Sequence, residues 1–206
     1  MGRIKTHKDM KPKKVLKKVK KGNKRFVKNL SLNRDLLKEA KSTSESQSPI
    51  AVVLSCLDSR SSAEVIFDQG IGDVFSARVA GNVVNDDILG SMEFACFLST
   101  AKVILVLGHT NCGAVHGACD GAVLGNLTGL LKKIEVAVGS VKKPKNPNDR
   151  NSSNLEFVEK VTIENVKLTI ENIRKGSDIL SKMEKEGDIM IVGGIHNLVD
   201  GTIKYL

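Results

Sequence analysis

Four short apolar runs divide the chain, each bounded by polar residues or glycine. They are residues 50–54 (IAVVL), 73–77 (DVFSA), 102–107 (KVILVL) and 188–193 (DIMIVG). Runs of this length and composition are typical of strands that are buried on both faces of a parallel sheet. We therefore predict that these four runs form strands of one central sheet.

The segments between these runs have helical patterns. Residues 85–100 open with Asn and Asp, which can cap a helix, and continue with apolar residues at helical spacing, so we predict a buried helix there. Residues 127–141 and 154–175 are similar, and the stretch between them is rich in Pro, Asn and Lys, as in a surface loop. Strands that alternate with helices favour an α/β fold of three layers, with helices on both faces of a mostly parallel sheet.

Positive charge is concentrated at the start of the chain. Residues 1–41 hold 16 Lys or Arg against 3 acidic residues and residues 42–206 hold 16 against 20, so the net charge of +9 is the sum of +13 and −4. Apolar residues recur between the lysines at near-helical spacing, which predicts a helical arm packed on the body or on a partner subunit. The interleaved aromatic residues typical of single-strand binders are missing, so we expect no nucleic-acid partner.

Length and composition predict one globular domain. The chain has 206 residues, of which 41% are apolar and 27% are charged. We expect a single domain over 1–206, in which 1–41 form the basic helical arm and 42–206 the α/β core. No stretch reaches the roughly 18 apolar residues of a membrane span, and no apolar signal-peptide core follows the Lys-rich start. We therefore expect a cytoplasmic protein without a membrane partner, although a leader on a longer precursor would change this expectation.

Reactive side chains follow two of the predicted strands. Cys56, Asp58 and Arg60 come after the first run in SCLDSR, and His109 and Cys112 come after the third run in GHTNCG. The carboxyl ends of neighbouring parallel strands meet at one edge of the sheet, which is the usual place for a site in an open α/β fold. We therefore expect these five side chains to lie close together.

Two thiols and one imidazole at such an edge favour zinc. Cys56, His109 and Cys112 would leave the fourth tetrahedral position open, as in catalytic zinc sites. A lone cysteine at a strand end is more often a small buried apolar residue, so the prediction depends on the two motifs occurring together. A zinc deaminase also uses one His and two Cys, but it needs a C-x-x-C motif, which this chain lacks.

These motifs make the sequence similar to the β-class carbonic anhydrases, whose pattern is C-x-D-S-R followed later by H-x-x-C-G. The similarity extends over most of the chain, through residues 63–75, 77–82, 87–95, 108–115, 124–131 and 187–201. It implies a central sheet of about four to five strands in the order 2-1-3-4, one Zn²⁺ per subunit, and a homodimer or a dimer of dimers.

The resemblance also implies roles for single residues. The zinc ligands would be Cys56, His109 and Cys112, and the catalytic pair beside the metal would be Asp58 and Arg60. The substrate pocket would include Gln47, Phe75, Phe94 and Gly113. The implied reaction is the reversible hydration of CO₂ to bicarbonate and a proton by zinc-bound hydroxide.

Gln47 is typical of the constitutively open subclass of this family. The gated subclass has a Trp shortly before its first zinc cysteine, and this chain contains no Trp. The resemblance therefore implies that Asp58 stays paired with Arg60 and that bicarbonate does not inhibit cooperatively.

Two alternative functions remain open at this point. COS or CS₂ could replace CO₂ as the substrate on the same scaffold, because only pocket shape and access separate these activities. A non-enzymatic protein could hold structural zinc and bind nucleic acid through the basic arm, but Asp58 and Arg60 would then have no evident role.

The remaining His and Cys residues show no ligand spacing. We expect Cys96 and Cys119 to be buried or half-buried thiols and His116 to be a packing or surface residue rather than a proton shuttle. His196 ends the last predicted strand, where either a place at the rim of the site or a structural role is consistent with the pattern.

Overall fold

In a computed structural model that describes residues 10–206, the chain folds around a five-stranded sheet. Its strands are β1 (Ala51–Ser55), β2 (Val74–Arg78), β3 (Val103–His109), β4 (Met190–His196) and β5 (Ile203–Tyr205). They lie in the order β2-β1-β3-β4-β5; the first four are parallel, and β5 is antiparallel to β4. The predicted α/β class and the order 2-1-3-4 are therefore confirmed.

Eight α-helices surround this sheet within the described range. They are α1 (Pro12–Val27), α2 (Leu36–Ser42), α3 (Ala63–Ile66), α4 (Asp86–Glu93), α5 (Gly113–Cys119), α6 (Gly125–Ser140), α7 (Leu155–Gly176) and α8 (Asp178–Glu186). Side-chain oxygens of Asn85, Asn154 and Ser177 cap α4, α7 and α8, each accepting a hydrogen bond from a first-turn amide.

Alternate residues of the central strands serve opposite layers. Val52 and Leu54 of β1 pack with side chains of α4, α7 and α8, whereas Ala51 and Val53 pack with α1 and α3. All residues of β1 and β3 are buried, because both faces of the sheet are covered. This burial explains the continuous apolar runs in the sequence.

Part of the basic arm packs on the body of its own chain. Val15 and Val19 of α1 are fully buried against Ile50, Phe67 and neighbouring core residues, while most of the helix's lysines face solvent. Leu30 and the leucines of α2 remain largely exposed. Residues 1–9 of the predicted arm lie outside the described residues.

The predicted buried helix over residues 85–100 is wrong in one respect. The segment is helical, as α4 followed by a π-helical stretch at Phe94–Leu98, but only Met92, Ala95 and Cys96 are buried in it. Phe94, Phe97 and Leu98 are each more than half exposed. Apolar residues occur on both sides of this helix, and within one chain the sheet covers only one side.

The other helical and loop predictions are confirmed. Helices α6 and α7 occupy the two later segments, and the intervening stretch is mostly exposed. Across residues 10–206, none of the helices has the length and apolar character that a membrane crossing requires.

Candidate metal centre

The site lies where β1 and β3 end side by side. The two strands are parallel neighbours, with Ser55 opposite Leu107 at the carboxyl edge of the sheet. Cys56 follows β1 directly, His109 is the last residue of β3, and Cys112 precedes α5. The sheet order therefore brings together two motifs that lie more than fifty residues apart in the sequence.

Three potential metal ligands converge at this edge. The ligand atoms of Cys56, His109 and Cys112 lie within 4.8 Å of one another, and all three residues are buried. The two Sγ atoms are 3.9 Å apart. Among the residues that the structure describes, no other cluster of His, Cys, Asp or Glu was found with this ligand geometry.

The imidazole of His109 is held by its neighbour's main chain. Nδ1 of His109 lies 2.9 Å from the carbonyl oxygen of Thr110, to which it can only donate a hydrogen bond. Nε2 is buried and has no hydrogen-bond partner within residues 10–206. Its lone pair is therefore free to bind a cation.

The two thiols influence each other's ionisation. A hydrogen bond from Cys112 lowers the pKa of Cys56, and the hydrogen bond from the amide of Gly81 lowers it further. The pKa of Cys112 is raised, first by its hydrogen bond to Cys56 and then by burial, although the amides of Val115 and Ala114 oppose the rise. A cation bound at the two sulfurs would favour loss of the proton from both thiols.

Two residues that the sequence did not single out support Cys56. The amide of Gly81 donates to its Sγ at 3.4 Å, and the Arg78 guanidinium donates to the carbonyl oxygens of Cys56 and Asp58. Gly81 has φ +67°, and a Cβ there would lie 2.4 Å from Cδ1 of Ile134. The left-handed backbone conformation favours glycine at this position. The only sequence signal was the segment ARVAGN, which was part of the family resemblance.

Asp58 and Arg60 form a two-point ion pair beside the thiols. Nε and Nη2 of Arg60 donate to the two carboxylate oxygens of Asp58 at 2.9 and 2.7 Å, and the Arg60 amide donates to Oδ1 at 2.9 Å. The hydrogen bond from Arg60 holds the pKa of the Asp58 carboxyl well below its usual range. Oδ2 of Asp58 is 4.0 Å from Nε2 of His109, so an ionised carboxylate faces the metal ligands.

These residues fit zinc by their chemistry. Two thiols and a neutral imidazole are preferred zinc ligands, and the buried Nε2 of His109, which has no hydrogen-bond partner among residues 10–206, is available to bind the metal. Three protein ligands leave room for one exchangeable group, as in catalytic zinc sites.

The comparisons with known proteins agree with this geometry. The sequence profile of the family described as "Carbonic anhydrase" matches residues 51–203. A carbonic anhydrase of Mycolicibacterium smegmatis is 33% identical over 190 residues, which are 91% of this chain and 90% of that protein. The β-carbonic anhydrase CafA of Aspergillus fumigatus superposes with a TM-score of 0.69 at 25% identity, over 82% of this chain and 81% of that one. The chain belongs to the β-class carbonic anhydrase family.

A tetrameric β-carbonic anhydrase of Sordaria macrospora shares the fold, with a TM-score of 0.68 at 23% identity over 81% of this chain and 84% of that one. By family membership the protein is a carbonic anhydrase enzyme.

The predicted pocket residues of this carbonic anhydrase do not all lie at the metal centre of their own chain. Phe75 and Phe94 contact each other edge to face, with ring centroids 6.2 Å apart. Phe75 lies opposite Val52, four residues before Cys56, which corresponds to about 13 Å along the strand. Gln47 is exposed and precedes β1. Gly113 alone among the four directly follows a metal-centre residue, Cys112.

The remaining His and Cys residues occupy distinct places. Cys96 and Cys119 are buried thiols, as predicted, and burial raises the pKa of Cys96 to about 12 and that of Cys119 to about 11. His116 is half-buried on α5. His196 is buried, and its Nδ1 lies 3.1 Å from Oγ of Ser61. Burial lowers the pKa of His196, so its imidazole is neutral at physiological pH.

Proposed function

We propose that the protein catalyses the reversible hydration of CO₂ to bicarbonate and a proton, with one zinc ion per subunit held by Cys56, His109 and Cys112. One observation carries this proposal. An open set of two thiols and a correctly oriented imidazole lies beside an ionised carboxylate that is itself fixed by an arginine. Bound zinc would supply a Lewis acid that makes water nucleophilic near neutral pH.

Neighbouring residues of the chain would hold the zinc ligands in position. Thr110 fixes the tautomer of His109, and the amide of Gly81 steadies the Cys56 sulfur, so the ligands need little rearrangement on binding zinc. Burial of all three ligands limits the entry of bulk water.

Asp58 would orient the nucleophile. Its carboxylate remains ionised because Arg60 donates hydrogen bonds to both oxygens, and Oδ2 faces His109. An ionised carboxylate cannot donate a hydrogen bond, so it accepts one from the attacking water and turns the water's lone pair toward the carbon of CO₂. Arg60 occupies both carboxylate oxygens of Asp58, which supports the proposal that Asp58 stays off the metal, as in the open subclass.

A second subunit would complete the substrate pocket. Gln47, Phe75 and Phe94 lie away from the metal centre of their own chain but are exposed or half-buried, as residues donated across an interface would be. The Sordaria macrospora relative in the same fold is described as tetrameric. We therefore infer a homodimer or a dimer of dimers in which these side chains line a neighbour's site.

A mixed-oligomer experiment tests this arrangement. Gln47→Ala subunits retain zinc ligands, and Cys112→Ser subunits retain Gln47, so co-assembly should create sites with both features. We expect CO₂ hydration above that of either variant alone. No recovery in verified mixed oligomers would place Gln47 outside a shared pocket.

Two other assignments use the same residues. COS or CS₂ hydrolysis would need the same metal centre with a different access route, and a structural zinc protein would need a fourth protein ligand. Against the structural alternative, no fourth His, Cys, Asp or Glu joins the cluster among residues 10–206.

Stopped-flow measurements on zinc-loaded protein with CO₂, COS and CS₂ distinguish these functions. We expect rapid CO₂ hydration that exceeds turnover of the sulfur compounds. Rapid turnover of COS or CS₂ without CO₂ hydration would replace the proposed substrate. A cytoplasmic location also stays a prediction.

A further inference from the structure

A buried hydrogen bond connects the turn after β1 to the end of β4, next to the metal centre. Ser61 lies at the end of the turn that carries Asp58 and Arg60, and His196 is the last residue of β4. Both are almost fully buried, at 1% and 2% exposure, and Oγ of Ser61 is 3.1 Å from Nδ1 of His196. No role in the proposed reaction has yet been assigned to this pair.

The Ser61 end of this bond reaches the catalytic turn. The amide of Ser61 donates to the carbonyl oxygen of Asp58 at 3.0 Å, which closes a tight turn around Arg60. Fixing the Ser61 side chain therefore fixes the turn that presents the Asp58 carboxylate. The guanidinium of Arg60 is more than half exposed, so the ion pair alone leaves this turn open to solvent competition.

The His196 end reaches the metal ligands through the main chain. His196 lies opposite His109 in the β3–β4 register, and its carbonyl oxygen accepts a 2.9 Å hydrogen bond from the amide of Thr110. Thr110 in turn accepts the Nδ1 hydrogen of His109. His196 thus bonds to the turn that carries Asp58 through its side chain, and to the residue after His109 through its backbone.

We propose that His196 is a positioning residue for CO₂ hydration. The hydrogen bond between its Nδ1 and Ser61 fixes the position of the Asp58–Arg60 turn relative to His109. This inference rests on the proposed function. A substitution at His196 tests the side chain alone, because replacing the imidazole removes the bond to Ser61 and leaves the carbonyl bond to Thr110 in place.

Substitution of His196 by Asn or by Gln distinguishes the role of Nδ1 from that of Nε2. An Asn amide is bonded to Cγ, as Nδ1 is, so His196→Asn can retain the hydrogen bond to Ser61. A Gln amide reaches the place of Nε2, which has no hydrogen-bond partner in the described part of the chain, so His196→Gln loses that bond. Ser61→Ala removes the other partner with the loss of one oxygen atom and keeps the test available if a His196 variant fails to fold.

The first readout is amide hydrogen exchange of the zinc-loaded protein over residues 56–62, which does not depend on activity. We expect exchange of the residue 61 amide, corrected for the intrinsic rates of Ser and Ala, to accelerate about tenfold in Ser61→Ala and in His196→Gln, while His196→Asn stays close to wild type. All three variants should retain a full equivalent of zinc, because the ligands and Thr110 are untouched. Unchanged exchange in both Ser61→Ala and His196→Gln would overturn the proposal.

The second readout is kcat for CO₂ hydration. We expect a fall of about tenfold in Ser61→Ala and His196→Gln, rescue by His196→Asn, and no further fall in the double variant Ser61→Ala/His196→Gln. Full additivity in the double variant, or rescue by Gln instead of Asn, would overturn the proposal. If wild-type protein binds zinc but does not hydrate CO₂, the proposed function fails, and the exchange measurement still decides whether His196 positions the turn.

Ser177→Ala is the matched control. Ser177 is also 2% exposed, and its hydroxyl donates to Glu93, away from the metal-centre residues. We expect this variant to lose stability but to keep kcat and the exchange rate at Ser61. An equal fall in kcat would mean that the loss of any buried serine hydrogen bond impairs the enzyme, which would contradict a positioning role.

Discussion

Individual ligands provide the first test at the scale of the residue. Cys112→Ser replaces a buried sulfur that can carry negative charge with a neutral hydroxyl, so we expect it to lose most of the zinc and nearly all CO₂ hydration. Metal analysis of the purified variant and stopped-flow assay measure both effects. Cys119→Ser, which changes a buried thiol outside the cluster, is the control. A full zinc equivalent in Cys112→Ser would remove this residue from the ligand set.

Asp58 tests catalysis separately from metal binding. Asp58→Asn keeps the size of the side chain but removes its negative charge and replaces one acceptor oxygen with an NH₂ donor. We expect zinc to be retained and CO₂ hydration to fall by about 10²-fold or more, which is the usual contribution of a positioned acid–base group. Zinc content and kcat on the same sample provide the measurement, and wild-type turnover in this variant would exclude Asp58 from the mechanism.

The Asp58–Arg60 pair also predicts how stability depends on pH. The pKa of Asp58 is lowered from its ordinary value of 3.8, chiefly by the hydrogen bond from Arg60. The pair's contribution to unfolding free energy is therefore fully present above about pH 4 and is lost as pH falls toward the folded-state pKa. In chelator-treated protein, Asp58→Asn should destabilise more at pH 7 than at pH 3 in urea unfolding. An equal loss at both pH values would contradict this linkage.

The sequence predicted the reactive residues but not what holds them. Cys56, His109 and Cys112 could be identified because thiols and imidazoles at strand ends are unusual and their motifs are specific. Thr110 and Gly81 act through a main-chain carbonyl and an amide, and these groups exist in every residue. Only the folded backbone shows which of them face the site.

At the scale of the element, α1 depends on one close approach. A Cβ at Gly22 would lie 1.7 Å from the carbonyl oxygen of Phe67, so Gly22→Ala should push α1 away from the body. We expect a loss of about 1–3 kcal/mol in unfolding free energy, as for other overpacked sites, although Ala is the better helix former.

Gly129 of α6 is the matched control for this prediction. A Cβ there would meet nothing within 4 Å, so Gly129→Ala should raise the unfolding free energy by up to about 1 kcal/mol. Chemical denaturation of both variants gives the comparison. Destabilisation of similar size in both would mean that packing against Phe67 does not decide the effect.

Strands with long apolar runs were predictable from the sequence, and short elements without such runs were not. The four parallel strands carry long apolar runs because helices cover both of their faces. β5 has three residues, none fully buried, so it leaves no such pattern. The exposed side of residues 94–98 was also missed, because an apolar pattern does not say whether the cover comes from the same chain.

For the whole molecule, we expect bicarbonate to inhibit without cooperativity. A ligand shifts a conformational equilibrium only if it binds one state better than the other. This chain has no Trp to form the binding pocket of the gated subclass, and Asp58 is paired with Arg60. We expect inhibition curves without cooperativity between about pH 7 and 9. A sigmoidal curve in stopped-flow assays would contradict the proposal that the protein is of the open subclass.

The overall architecture was predictable from the family resemblance together with the strand pattern. The family profile matches residues 51–203, and the four predicted strands fall in it or at its border. The oligomeric state could not be derived in the same way, because the exposure of apolar residues in α2 and in residues 94–98 does not identify the surface that covers them. The division into an arm over 1–41 and a core over 42–206 stays a prediction.

A zinc titration of metal-free protein, with CO₂ hydration as the readout, tests the proposed function directly. If Cys56, His109 and Cys112 form a catalytic centre, activity should rise linearly with added zinc and stop rising at one equivalent per subunit. Stoichiometric zinc binding without CO₂ hydration above the buffer rate would show that the three residues do not form a catalytic centre for this reaction.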